Sequence, residues 1–187
     1  MPSDYTELVG ARVRLRRAVE SDAHDRVANG RHTEILRMYG AEDPDPAPYT
    51  LEQSLVWVEG MASDPLAWVI EHEGRCVGDA RLHSVREQDS KATYAIGLQS
   101  PDVLGRGLGT EATRLVLDHA FGSVGLNRLS LRVLAFNERA IRCYLRCGFA
   151  IEGRERQSAR IGDTWYDDIM MGALASERSA TAEGRHG

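Results

Sequence analysis

Residues Lys91 to Phe121, KATYAIGLQSPDVLGRGLGTEATRLVLDHAF, decide how this chain is read. In order they give an apolar strand, a short loop, the turn Gly105-Arg106-Gly107-Leu108-Gly109-Thr110, and an amphipathic helix with Ala112, Leu115, Val116 and Phe121 along one face. A strand that feeds a glycine-rich turn and opens a helix is suited to hold phosphate. The first amides of a helix have no intrahelical acceptor and sit at the positive end of its dipole, and glycine lets the backbone come close to an anion. Two known phosphate patterns do not fit this turn. A dinucleotide fingerprint follows its strand directly and needs glycine where Thr110 stands, whereas six residues separate Leu98 from Gly105. A P-loop needs Lys and then Ser or Thr after its last glycine, and Gly109 is followed by Thr110 and Glu111.

Upstream, Leu66 to Glu71 and Cys76 to Val85 are apolar or alternating and flank the turn Glu73-Gly74-Arg75, which predicts a hairpin. Before it, Thr50 and Gln53 form a T-x-x-Q capping box for a helix over 51–62 carrying Leu51, Leu55, Val58 and Met61. The segment AEDPDPAPYT, with three prolines in five residues, is loop, and HTEILRMYG before it offers at most a short helix. Ser21 reads as the N-cap of a first helix, with Asp22 and Asp25 in its first turn and an end near Asn29-Gly30. RVRLRR at 12–17 alternates as a half-buried strand with Val13 and Leu15 inward.

Downstream, RLSLRVLA alternates as a strand with Leu129, Leu131 and Val133 on one side. Asn137 caps the helix NERAIRCYLRC, which Gly148 stops and which carries Ala140, Ile141, Tyr144 and Leu145 on one face. Two strands follow, from Phe149 to about Arg160 and from Trp165 to Ala173, around a turn at Ile161-Gly162-Asp163. The order β-α-α-β-β-β-α-β-α-β-β predicts a mixed α/β fold in one domain over 1–175, with helices on both faces of its sheet. The last residues, 176–187, lack any apolar pattern and read as a disordered tail.

A chain of 187 residues is long enough for a sizeable core. Its net charge of −5 and its single lysine, Lys91, argue against nucleic acid as partner. No apolar run approaches a membrane span, and MPSDYTELVGARVRL has neither the basic nor the apolar region of a secretory signal, so a cytoplasmic location is expected. Cys76, Cys143 and Cys147 are too few and too unevenly placed for a disulfide framework, and no second Cys/His pair completes a metal site with the last two; all three read as small apolar residues.

The turn resembles the acetyl-coenzyme A motif of the GCN5-related N-acetyltransferases, (Gln/Arg)-x-x-Gly-x-(Gly/Ala), which falls on Leu104 to Gly109 with Leu104 in place of the leading polar residue. A second family motif, N-x-x-A-x-x-x-Y-x-x-x-G-F, matches Asn137 to Phe149, and the element order is similar to the family's over nearly the whole chain. The sequence Cys-Tyr-x-x-x-Gly-Phe, followed by Glu-Gly and by Asp167 to Gly172, is similar to the branch of ribosomal-protein alanine (RimJ/RimL-like) and polyamine acetyltransferases. The resemblance implies a central, mostly antiparallel sheet of the acyl-CoA N-acyltransferase fold. It implies acetyl-CoA as acyl donor, a primary amine as acceptor, no metal, and a homodimer through the C-terminal strands.

For the site, the resemblance implies that Ile96, Gly97 and Leu98 offer backbone groups to the pantetheine arm and thioester, where their strand splays from the one at 128–134. Leu104, Gly105, Arg106, Gly107, Leu108, Gly109 and Thr110 would cradle the pyrophosphate, Asn137 would lie near the pantetheine, and Arg146 would meet the 3′-phosphate. Tyr144 matches the general acid that protonates the leaving sulfur. A phenol, with an ordinary pKa of about 10, keeps its proton at neutral pH and can donate it. The family's strand Glu is replaced by Ala95, so the base is open, with Asp79 and His83 on the neighbouring hairpin strand as candidates. A polyamine, a protein N-terminus and another small amine all remain open as acceptors; carboxylates on the 41–46 loop would draw a protonated amine. The alternative is a catalytically weak regulatory module that keeps only the acyl-CoA pocket.

Overall fold

The computed structural model describes residues 5–43 and 45–178. One sheet of eight strands runs through them: β1 (Leu8–Val9), β2 (Arg14–Arg16), β3 (Ala67–His72), β4 (Arg75–Arg86), β5 (Lys91–Leu98), β6 (Arg128–Leu134), β7 (Ala150–Ile161) and β8 (Thr164–Leu174), in the spatial order β1-β2-β3-β4-β5-β6-β8-β7. Every neighbouring pair is antiparallel except β5 and β6. Those two are joined by α4 (Leu108–Phe121), the crossover that a parallel pair requires. The other helices are α1 (Asp22–Asn29), α2 (Thr33–Met38), α3 (Leu51–Ser63) and α5 (Glu138–Arg146).

Because strand side chains alternate between faces, β3 serves two cores. Trp68 and Ile70 join the larger one with Leu15, Leu82, Leu129, Val116 and Leu117, under α4 and α5. Ala67 and Val69 join a smaller one with Ala23, Val58, Met61 and Cys76, under α1 and α3. Helices thus cover both faces, as the pattern predicts. Full burial of side chains such as Val116 and Leu117 is worth about 1.5–3 kcal/mol each.

Several local expectations are met in detail. Thr50 and Gln53 close a reciprocal capping box at α3, each side chain 3.1 Å from the other's backbone nitrogen. Asn137 accepts from the Ala140 amide at 3.2 Å, and Gly148 ends α5 at φ 97°. Others are corrected. The strand expected at 12–17 is shorter and is preceded by β1, and α2 forms where the sequence signal is weak. Ser21 has helical φ and ψ and makes no cap bond. Its neighbour Asp22 instead takes up the Val19 amide at 2.8 Å and both terminal nitrogens of Arg16, at 2.7 and 2.8 Å, in the core. On α3, Leu51 and Leu55 are exposed while Ser54 is buried, because the helix turns Ser54, Val58 and Met61 toward the sheet. Leu145 on α5 is likewise exposed.

The tail expected at 176–187 lies outside the described residues from 179 onward. Arg178, within them, donates from Nε to Asp118 at 2.8 Å and so holds the chain against α4. Among the described residues no helix is long and apolar enough to cross a membrane.

Candidate functional site

The site begins where pairing between β5 and β6 stops. The parallel ladder runs only from Lys91 opposite Arg128 to Thr93 opposite Ser130, while on its other side β5 pairs with β4 as far as Leu98 opposite Gly78. From Tyr94 onward β5 has an unpaired edge. Aromatic rings fill the base of this fork: Tyr94 stacks on Phe149 at 6.2 Å and meets Tyr144 edge-on at 6.4 Å. Tyr94 also bonds Thr113 Oγ1 at 3.0 Å, and Thr113 donates to the Gly109 carbonyl at 2.7 Å. That chain ties the fork to the first turn of α4.

Above the fork lies a cleft of about 660 Å³. Along β5 it is lined by Tyr94, Ala95, Ile96 and Leu98, and across from them by Arg132, Val133 and Leu134 of β6. One end is the turn, with Leu104, Gly105, Gly107, Leu108, Gly109 and Thr110; Asn137, Tyr144 and Arg146 come from α5 and its cap. The predicted residues therefore converge, with two exceptions. Arg106 is exposed and lies outside the cleft wall, and its carbonyl accepts from Arg12 Nη1 at 2.7 Å. Gly97 lines a smaller neighbouring cavity.

The turn is fixed by its glycines and by Arg12. Gly105 and Gly107 have φ of 73° and 83°, the left-handed region that other residues enter only with strain. Gly107 is the residue before α4, so the first amides of that helix open on the cleft. Glu111, in the first turn of α4, accepts from the Arg12 amide at 2.7 Å, from its Nε at 2.9 Å and from the Val13 amide at 3.3 Å. Burial pushes its carboxyl up, but these bonds outweigh it and hold the group below its usual range.

Tyr144 is buried at 9 % exposure yet borders the cleft. Burial pushes its phenol well above the ordinary value, with Cys143 and Tyr39 adding to the effect, so the hydroxyl stays protonated. The cysteines beside it are more than apolar filler. Thr110 Oγ1 lies 3.2 Å from Cys143 Sγ, and Cys147 Sγ donates to the Thr110 carbonyl at 3.5 Å, so both join α5 to the turn. A bond from Cys147 draws the Cys143 thiol below its ordinary value, against the effect of burial.

Of the two candidate bases, His83 lines neither cavity and bonds Ser84 Oγ at 3.0 Å. Asp79 pairs with Gly97 across the β4–β5 ladder and lines the smaller cavity. Burial raises its pKa, partly offset by Arg26 and Arg81. The structure adds residues with no sequence motif. Tyr39, just after α2, lines both cavities; the residue is 57 % exposed, but crowding of its hydroxyl end and the nearby Asp79 push its pKa up to about 12. Asp168 of β8, buried at the cleft, accepts from Ser158 Oγ at 2.8 Å and lies 3.3 Å from Arg132 Nε.

Fold and cleft define one class: the family described as the acetyltransferase (GNAT) domain matches residues 12–150, and the chain belongs to it. Among its relatives, the spermidine N(1)-acetyltransferase of Escherichia coli (strain K12) is 35 % identical over 104 residues, 56 % of this chain. The chain spans about half of that relative, 55 % of its length. The N-acetyltransferase YoaA of Bacillus subtilis (strain 168) is 27 % identical over 163 residues, covering 83 % of this chain and 89 % of that protein. Among solved structures, spermidine N-acetyltransferase from Vibrio cholerae, in complex with CoA and spermine, superposes with a TM-score of 0.74 at 20 % identity, covering 90 % of this chain and 98 % of that one.

Proposed function

We propose that this protein is an acetyl-CoA-dependent N-acetyltransferase that acetylates a primary amine by direct attack in a ternary complex. The observation that carries the reading is the fork. An unpaired strand edge runs from a buried, protonated phenol to a helix start whose glycines leave its amides open. That combination suits a long acyl carrier with a thioester at one end and phosphates at the other. The residues fit acetyl-CoA in that orientation: the amides of Leu108 to Thr110 toward the pyrophosphate, Arg146 toward the 3′-phosphate, and the backbone of Ile96 to Leu98 along the pantetheine. The co-substrate supplies an activated acetyl group.

The chain's own residues supply the proton transfers. Asp79, a carboxyl whose affinity for protons is raised by burial, takes one proton from the ammonium of the acceptor. The freed nitrogen forms a C–N bond to the acetyl carbonyl carbon as the C–S bond breaks. The departing sulfur takes the Tyr144 hydroxyl proton, and the nitrogen's second proton restores the phenol. The products are an amide and a free thiol, with one proton left on Asp79 for solvent.

The spermidine-acetylating relatives make a polyamine one acceptor to test. The acidic 41–46 loop is a weaker argument for a polycation than its sequence suggests, since Asp43 lies 3.7 Å from Arg31 and the Glu42 carboxylate packs against Gly162. The test is release of free thiol from acetyl-CoA across a panel of amines, beside calorimetry of coenzyme A binding. Thiol release that needs an amine is expected. Tight binding with no release for any amine would overturn the reading in favour of a regulatory module.

A further inference from the structure

The smaller cavity, about 190 Å³, shares Ile35, Tyr39 and Leu98 with the cleft, but its wall has a different chemistry. Arg26 lies between two rings, 4.0 Å from the centroid of Tyr49 and 4.5 Å from that of Trp57, and Arg31 lies 5.4 Å from Tyr49. All four line the cavity, and Asp79 and Gln99 do so with them. The terminal nitrogens of Arg31 are engaged by the protein, Nη1 donating to the Ala47 carbonyl at 3.2 Å and Nη2 lying 3.7 Å from Asp43. The Nε atoms of both arginines are buried, and neither has a hydrogen-bond partner among the described residues.

Two guanidinium groups line this one small cavity, and among the described residues only Arg31 has a carboxylate within ion-pair distance, so the wall favours an anionic group inside it. Contact with the Tyr49 and Trp57 rings restricts the Arg26 guanidinium, and its fixed fork of donors favours a planar group with two oxygens over a point charge. The same wall carries Asp79, whose Oδ1 lies 3.9 Å from where a Cβ on Gly97 would stand. One cavity thus offers a guanidinium pair to an anion and a carboxyl to an ammonium, beside the strand on which acetyl transfer is placed.

We infer that the acceptor is a small zwitterionic amine of the α-amino-acid type, its carboxylate held by Arg26 and Arg31 and its amino group facing Asp79 at Gly97. The inference rests on the acetyltransferase reading and names its substrate class. A linear polycation such as spermidine brings no anion to the two arginines and adds positive charge beside them. The transfer step is unchanged: the ammonium gives one proton to Asp79, and its nitrogen replaces sulfur on the acetyl carbon.

The experiment compares acetylation of L-leucine, L-leucinamide and spermidine by the full chain with acetyl-CoA. Leucine is expected to exceed leucinamide in kcat/KM by about tenfold or more, the size of a charge-assisted hydrogen bond to a carboxylate, and to exceed spermidine as well. In Arg26→Met the leucine-to-leucinamide ratio should fall to near one, with the loss entering through KM for leucine. Because Arg26 packs between two rings, Arg31→Gln is measured in parallel, each variant with a melting curve. Leucinamide or spermidine outpacing leucine in the parent overturns the anion site and leaves acetyl transfer standing, as does a ratio unchanged in both variants. No transfer to any amine of a wider panel overturns both.

Discussion

The hydroxyl of Tyr39 stands over the backbone of Gly97: a Cβ added there would lie 2.8 Å from Tyr39 Oη and 3.4 Å from its Cζ. Only glycine leaves room for the ring at this point of β5. Tyr39 is 57 % exposed and can turn outward, so Gly97→Ala should displace its ring at a cost of about 1 kcal/mol or less, below the range for an overpacked core. Adding Tyr39→Phe removes the nearest atom and should recover part of that loss. Denaturant melts of the two single variants and the double variant measure the coupling, and strictly additive effects would refute the contact.

Tyr144→Phe keeps the ring against Tyr94 and Phe149, which lie 6.4 and 5.8 Å away, and removes only the hydroxyl. Stability should change little while turnover falls about 10²- to 10⁴-fold, the range for a lost general acid. Since burial raises the phenol's pKa, the parent's kcat should show no alkaline fall at the ordinary tyrosine value. Parent-like turnover in the Phe variant would reduce Tyr144 to packing.

Asp79 acts as base only when ionised, and its pKa is raised by burial. The acid limb of kcat/KM should accordingly lie above the ordinary carboxylate range, and Asp79→Asn should lower the rate and remove the limb. The stability sign is the reverse of a salt-bridged carboxylate. The folded protein keeps a proton that the unfolded chain has given up, so this contribution is full below the unfolded value and is lost as pH rises through the raised one. A pH-rate profile and pH-dependent melts read the two effects separately.

Asp22→Ala leaves Arg16 with Glu71 alone, at 2.5 Å, in a site where the aspartate side chain is 1 % exposed. Breaking a buried pair from one side commonly costs about 3–5 kcal/mol, and loss of the bond to the Val19 amide also loosens the entry to α1. A loss under 1 kcal/mol would show that Glu71 and solvent replace Asp22.

The sheet was readable because alternation is local: Leu129, Leu131 and Val133 declare a buried face by themselves, and Thr50 with Gln53 declares a helix start. The turn and Tyr144 were readable for the same reason, as contiguous motifs. Ser21 stands at the N-cap position without a capping bond, and Asp22 is in the first turn as its sequence predicts, but only the approach of Arg16 makes Asp22 a buried partner as well. Leu51 and Leu55 were misjudged because the capping box fixes where α3 starts, while the sheet decides which side it turns inward. Tyr39 and the stack of Arg26 on Tyr49 and Trp57 had no local signature. Their meaning arises from residues far apart in the chain meeting in space, as Arg26 and Trp57 do across 31 positions and Tyr39 and Gly97 across 58.

A strand with unpaired amides and carbonyls normally sits at the rim of a sheet, where it invites association with other chains and must be guarded. The second half of β5 has the same bare edge in the middle of the molecule, with β6 diverging on one side and α2, α5 and the glycine turn closing round it. A slender, extended tether can lie along that edge and pair with its backbone as an added strand does at a sheet rim, so the divergence of two strands selects for shape before any side chain is consulted.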